Sequence, residues 1–210
     1  MITDGLNPFA VLLFMGAVLT ALTLAALYLF ARISKRAPLA RLSSRAFLGG
    51  AVIYLALILM GSLTSHGRVL APGEEKHICE IDCHLAYSVT AATAESVGGG
   101  LVRHVVTVKV RFDEATISER RSRTAPLSPN SRYVALVDDR GHEYRGSAEG
   151  LMKQLIPGEA YTTDIAFEVP QKATGLRLVL RNADPETTLI VGHENSLLHR
   201  TTTFALAKAS

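Results

Sequence analysis

Four side chains in one short stretch could do chemistry: His77, Cys79, Cys83 and His84, in the order His77-Ile-Cys79-Glu-Ile-Asp-Cys83-His84, with Cys79 and Cys83 the only cysteines in 210 residues. Outside a bacterial membrane, such a pair is expected to be oxidised or metal-bound. A structural disulfide needs Cα atoms about 4.4–6.8 Å apart, whereas positions i and i+4 of a regular strand lie about 13 Å apart. A Cys79–Cys83 bridge therefore requires a turn between them, and closing so short a loop removes little unfolded-state entropy. The second reading is a thiolate–imidazole site of Cys79, Cys83 and His84, with His77 nearby, whose soft donors suit copper or zinc. Reduced thiols in a core are the third. A c-type haem site is excluded, because it needs two residues between its cysteines.

The C-x-x-x-C spacing beside a histidine is similar to the copper-binding loops of cytochrome oxidase subunit II and of its copper-delivery proteins. His84, however, follows Cys83 directly, where subunit II has three intervening residues, and no proline follows Cys83 as in the delivery family. Near the C-terminus, Gly192-His193-Glu194-Asn195-Ser196-Leu197-Leu198-His199 opens like a zinc protease motif. That chemistry needs its second histidine at i+4 on a helix; His199 is at i+6, on the wrong side. The segment reads instead as a polar turn between a strand ending at Val191 and one starting near His199. First and last strands are neighbours in many sandwiches, so His193, Glu194 or His199 could complete a site with Cys83. There is no G-x-S-x-G nucleophile elbow and no phosphate-binding G-x-x-x-x-G-K, so no catalytic residue is assigned.

These residues must be positioned by elements of two kinds. Residues 8–31 and 47–64 carry no charged side chain. At 1.5 Å per residue the first extends about 36 Å, enough to cross a hydrocarbon core of about 30 Å with some tilt, and the second about 27 Å, near the lower limit for a span, so two membrane-crossing helices are expected. Between them, residues 32–46 hold Arg32, Lys35, Arg36, Arg41 and Arg45 with no acidic residue, and basic loops stay cytoplasmic. Residues 1–64 are therefore expected to form a transmembrane hairpin in a bacterial inner membrane, with the N-terminus and everything after Thr64 on the periplasmic or extracellular side. A signal peptide fits poorly, since its positive charge would precede a shorter apolar core. From Ser65 onward, seventeen basic residues face eighteen acidic ones. The excess charge is all in the basic loop, which removes the support for a nucleic-acid partner.

Residues 65–76, rich in Gly and charge, read as a linker. Residues 77–210 then change to period two: Val106, Val108, Val110 and Phe112 on one face, Thr107, Lys109 and Arg111 on the other, the alternation of a half-buried strand. Further strands are expected at 85–93, 132–137, 161–169, 176–180, 188–191 and 201–206. Turn signals separate them, among them Gly98–Gly100 and Asp138-Asp-Arg-Gly141. Residues 147–156 could start a short helix or cross between sheets, and the polar, Pro-broken 119–131 reads as an exposed loop. Several short strands with turns between them predict an all-β, immunoglobulin-like sandwich after the hairpin.

The stretch Asp138-x-x-Gly141-x-x-Tyr144, followed by Pro157-Gly158-Glu159, Phe167-x-Val169-Pro170 and a Leu-rich strand, resembles the DUF4352-like domains. These are bacterial exported domains of unknown function, and the resemblance spans roughly residues 103–206. It implies an immunoglobulin-like sandwich, tethered to the membrane, and no particular activity. Two functions are expected. One is a non-catalytic interaction or assembly module of the envelope, with the lipid bilayer and another envelope membrane-protein complex as partners. The other is an exported copper-binding or thiol-redox accessory protein using Cys79, Cys83 and His84.

Overall fold

The computed structural model describes residues 2–4, 8–78, 83–118 and 121–206. The chain divides into two compact units: residues 6–65 with 186–200, and residues 1–5 with 66–185 and 201–210.

The helical unit contains α1 (Pro8–Ile33) and α2 (Ala37–Leu63). Their Leu- and Ala-rich sequences are good helix formers. They are joined by a tight turn rather than by a basic loop over residues 32–46. Lys35 takes a left-handed φ of 52°, Lys35 N–H donates to Arg32 O at 3.2 Å, and Arg36 N–H donates to Ala31 O at 2.8 Å. These are the paired bonds of a Schellman ending. Pro38 then falls in the first turn of α2, where its missing N–H costs nothing. Arg41 and Arg45 consequently stand on α2. Both helices are long and apolar enough to cross a membrane, and only 6% and 11% of their most apolar windows is buried.

The β unit is built of two five-stranded sheets. One has the order β1 (Ile2–Asp4), β3 (Lys76–Ile78), β4 (Leu85–Gly98), β5 (Leu101–Phe112), β8 (Ala160–Pro170). The other runs β2 (Val69–Leu70), β10 (Thr203–Ala205), β9 (Arg177–Asn182), β6 (Arg132–Val137), β7 (Glu143–Arg145). β1 pairs parallel with β3 and β2 parallel with β10; the other pairs are antiparallel. β4 and β5 form a long hairpin whose turn needs Gly98, Gly99 and Gly100, all at positive φ, a region that costs glycine little.

Period two does what it predicts. Val106, Val108, Val110 and Phe112 of β5 are buried, with Val89, Tyr87 and Leu85 of β4 opposite the last three. They share one core with Val134, Leu136, Leu178, Leu180 and Phe204 of the second sheet, which makes a β-sandwich. Each such side chain contributes about 1.5–3 kcal/mol on burial. Lys76 is also fully buried; its ammonium crosses between the sheets and donates to Leu180 O at 2.9 Å.

Three further expectations change. Residues 65–76 are no solvated linker, because Val69 and Leu70 form β2, Leu70 enters the core and Lys76 begins β3. Residues 188–191 form no strand: a 3₁₀ turn spans Pro185–Leu189, and docking on α2, described below, overrides their β propensity. In the 119–131 segment, Leu127 is tied to Leu155 by two backbone bonds and packs on the core, so this part is not a free loop. In 147–156 the short-helix alternative takes the form of a single 3₁₀ turn (Glu149–Leu151), which carries Leu151 into the core.

Candidate functional site

β3 and β4 pair with Ile78 opposite Leu85, so residues 79–84 connect two antiparallel strands. Cys83 is half-buried and disulfide-bonded. Cys79, the sequence's only other cysteine, lies outside the described residues.

The histidines on either side are both held by the end of β5. His77 Nε2 lies 3.0 Å from Asp113 Oδ2; since a carboxylate only accepts, Nε2–H is the donor. Arg111 joins them, contacting Asp113 Oδ1 at 3.2 Å and gripping Glu75 through Nε and a terminal nitrogen at 2.8 and 2.6 Å. The result is a four-residue chain, Glu75–Arg111–Asp113–His77. The Arg111 hydrogen bonds lower the Glu75 carboxyl below its ordinary range. Burial works against ionisation of Asp113, but bonds from Arg111, His77 and the Ala115 N–H outweigh it and lower that carboxyl too. In return Glu75, then Asp113, raise the Arg111 guanidinium against the opposing effect of burial. His77 Nδ1 is buried and has no hydrogen-bond partner.

His84 stacks on Phe112, with ring centroids 5.4 Å apart. Its Nδ1 lies 2.6 Å from Thr116 Oγ1. That hydroxyl's proton goes to Asp113 O at 2.7 Å, so His84 Nδ1–H is the donor here as well. Thus of the residues picked out in the sequence, His77, Cys83 and His84 gather at the end of β5. Arg111 and Asp113 at that end complete the group; period two marks Arg111 only as a residue on the face opposite the core.

His193, Glu194 and His199 belong to the helical unit. His193 Nδ1 accepts from Asn195 N–H at 3.0 Å, and Asn195 donates to Thr187 Oγ1 at 2.8 Å. The segment docks on one face of α2: Tyr54 donates to Leu189 O at 2.7 Å, and Ser65 Oγ accepts from Arg200 N–H at 2.9 Å. Gly61 allows the closest approach, since a Cβ there would lie 3.2 Å from both Gly192 N and Val191 Cγ1. Tyr54 and Gly61 share one face of α2, and Ser65 lies just past its end at Leu63. Among the described residues, no three His, Cys, Asp or Glu side chains are grouped as for a metal ion.

The Asp-x-x-Gly-x-x-Tyr pattern has a structural explanation. Asp138 Oδ1 accepts from the N–H groups of Arg140 and His142, both at 2.9 Å, and Oδ2 meets the His142 ring and the Tyr144 hydroxyl. Burial opposes the charge, but the His142 and Arg140 bonds hold this carboxyl at about 2. The motif builds the β6–β7 turn.

No family model matches the chain, so the DUF4352-like resemblance has no such support, and no curated protein matches it. Two solved structures are similar in part. One is a conserved hypothetical protein from Bacillus anthracis, with 14% identity and a TM-score of 0.35 over 53% of this chain and 87% of that one. The other is an uncharacterised β-sandwich protein from Clostridium difficile 630, with 10% identity and a TM-score of 0.36 over 55% of this chain and 87% of that one. Neither likeness carries a functional argument.

Proposed function

We propose that this chain is a membrane-anchored, non-catalytic interaction module of the bacterial envelope: a helical hairpin in the cytoplasmic membrane that holds an immunoglobulin-like sandwich on the outer side. The observation that carries this reading is the exposure of α1 and α2, whose most apolar windows are only 6% and 11% buried. A core helix of a soluble protein buries its apolar face; these leave theirs to a surrounding solvent, and lipid is the solvent that suits them. Lys35 and Arg36 at the turn, with Arg32 on α1 and Arg41 and Arg45 on α2 close to it, favour a cytoplasmic position for that end of the hairpin. The pairing of β1, which precedes α1, with β3, which follows α2, supports placing the start of the chain on the same side as the sandwich. The proposed partner class is another envelope membrane-protein complex.

A second reading, a copper-binding or thiol-redox accessory protein, is favoured by one observation. His77 is oriented by a carboxylate through Nε2 while Nδ1 lacks a hydrogen-bond partner, the arrangement by which second-shell carboxylates prepare metal-ligating histidines. Cys83 in a disulfide speaks against thiolate ligation. The full-length chain is expected to resist alkaline carbonate extraction from membranes. A reporter fused after Ser210 should be active only outside, and one inserted at Arg36 only inside. Extraction into the soluble fraction overturns the anchor. Replacing Cys79 and Cys83 by Ser should leave metal content and in-cell cross-linked partners unchanged; loss of stoichiometric copper would replace the module reading with the second one.

A further inference from the structure

The segment 186–200 has its polarity inside out. His193, Glu194, Asn195 and Ser196 are buried, whereas Leu189, Leu197 and Leu198 are 53%, 58% and 65% exposed. In water the exposed leucines are unfavourable. In lipid the arrangement is the expected one, because the apolar side chains face the solvent and the polar groups are satisfied internally.

Successive turns of the segment meet that second requirement through their own backbone. Ile190, His193, Ser196 and His199 each donate N–H to the carbonyl three residues earlier, at 3.2, 3.2, 2.9 and 3.0 Å. Ser196 Oγ donates to Ile190 O, which already takes the His193 bond, and Tyr54 of α2 satisfies Leu189 O.

The docking site sets the depth. Tyr54 lies nine residues before the end of α2 at Leu63, about 14 Å along the axis. That is further than the about 5–10 Å reached by elements lying in the interface. Leu189 also lines the same apolar surface groove as Leu13, Ala17, Phe47 and Leu57 of the two helices, so its exposed side chain continues their surface. Leu198 has a φ of +64°, where a side chain costs about 1–2 kcal/mol and Gly or Asn is the usual occupant.

We propose that residues 186–200 are a third membrane-embedded element, a short re-entrant segment beside the C-terminal half of α2 with Leu189, Leu197 and Leu198 against lipid acyl chains. The proposal rests on the reading of α1 and α2 as membrane spans, and the test separates the two. The chain has no tryptophan, so single Trp substitutions report their own surroundings. Full-length Leu198→Trp, and Leu189→Trp as a second probe, are reconstituted in phosphatidylcholine vesicles with brominated acyl chains. Leu19→Trp on α1 and Val97→Trp at the β4–β5 turn serve as references.

Leu198→Trp and Leu189→Trp should lose emission to the bromines about as strongly as Leu19→Trp, with Leu189→Trp quenched best by the more deeply placed bromine. Val97→Trp should keep its emission. If Leu19→Trp is quenched while both segment probes emit as Val97→Trp does, the re-entrant segment is wrong and the anchor stands. If Leu19→Trp itself is unquenched, the membrane reading fails and the segment proposal falls with it.

Discussion

Asp113 is where the two histidines beside the cysteine loop are tied down. Its carboxylate takes the His77 proton and the Arg111 guanidinium, and its backbone carbonyl takes the Thr116 hydroxyl that orients His84. Asp113→Ala leaves the buried His77 Nε2–H without an acceptor, which should cost about 1–3 kcal/mol. The pH sign follows from the lowered Asp113 and Glu75 carboxyls. A depressed folded pKa contributes stability in full above the unfolded value of about 4, and that contribution is lost as pH falls through the folded values. Thermal unfolding of the purified full-length chain should therefore show the parent well above Asp113→Ala at neutral pH, the gap closing under acid. A gap that persists unchanged at low pH would remove the ionic account. Little of this was legible beforehand: His77 and Asp113 are 36 positions apart, and only strand register brings them together.

At the scale of elements, the close approach of 186–200 to α2 depends on glycine at one position. A Cβ on Gly61 would crowd Gly192 and Val191, whereas Gly49 and Gly50 have nothing within 4 Å. Gly61→Leu should dislodge the segment, seen as faster amide exchange or protease cleavage within 186–200 in the detergent-solubilised chain. Gly49→Ala, in an open helical position, should leave that segment as it was and gain up to about 1 kcal/mol of helix propensity. Equal effects from both would mean that the approach at Gly61 is not what holds the segment. The contact at Gly61 is with a segment about 130 residues later in the chain.

For the β unit as a whole, Lys76 is one buried polar tie between the sheets, its ammonium donating to Leu180 O, and Arg132, whose Nε donates to the Tyr87 hydroxyl at 3.1 Å, is another. Lys76→Met keeps the length of the side chain and strands that carbonyl, so the thermal midpoint should fall by an amount equivalent to about 1–3 kcal/mol. An unchanged midpoint would show that the Lys76 bond does not hold the sheets together. Residues 65–76 had been read as a linker because Gly, Pro and charge dominate them. Leu70 and Lys76, the two side chains that contradict this, are a small part of that composition.

Some features were determined by the sequence alone. Two uncharged apolar runs dictate two long helices, because helical bonds are local and twenty or so apolar residues admit few other structures. Alternation from Val106 to Phe112 dictates a half-buried strand, because side chains on a strand must point to opposite faces. The tertiary structure alone decided the rest. The His77–Asp113 pair, the crossing of Lys76, the docking of 186–200 on α2 and the loss of an expected strand at 188–191 all rest on partners distant in the chain. No local period encodes such partners, since side-chain hydrogen bonds and close approaches form only after strand register and packing have chosen their neighbours.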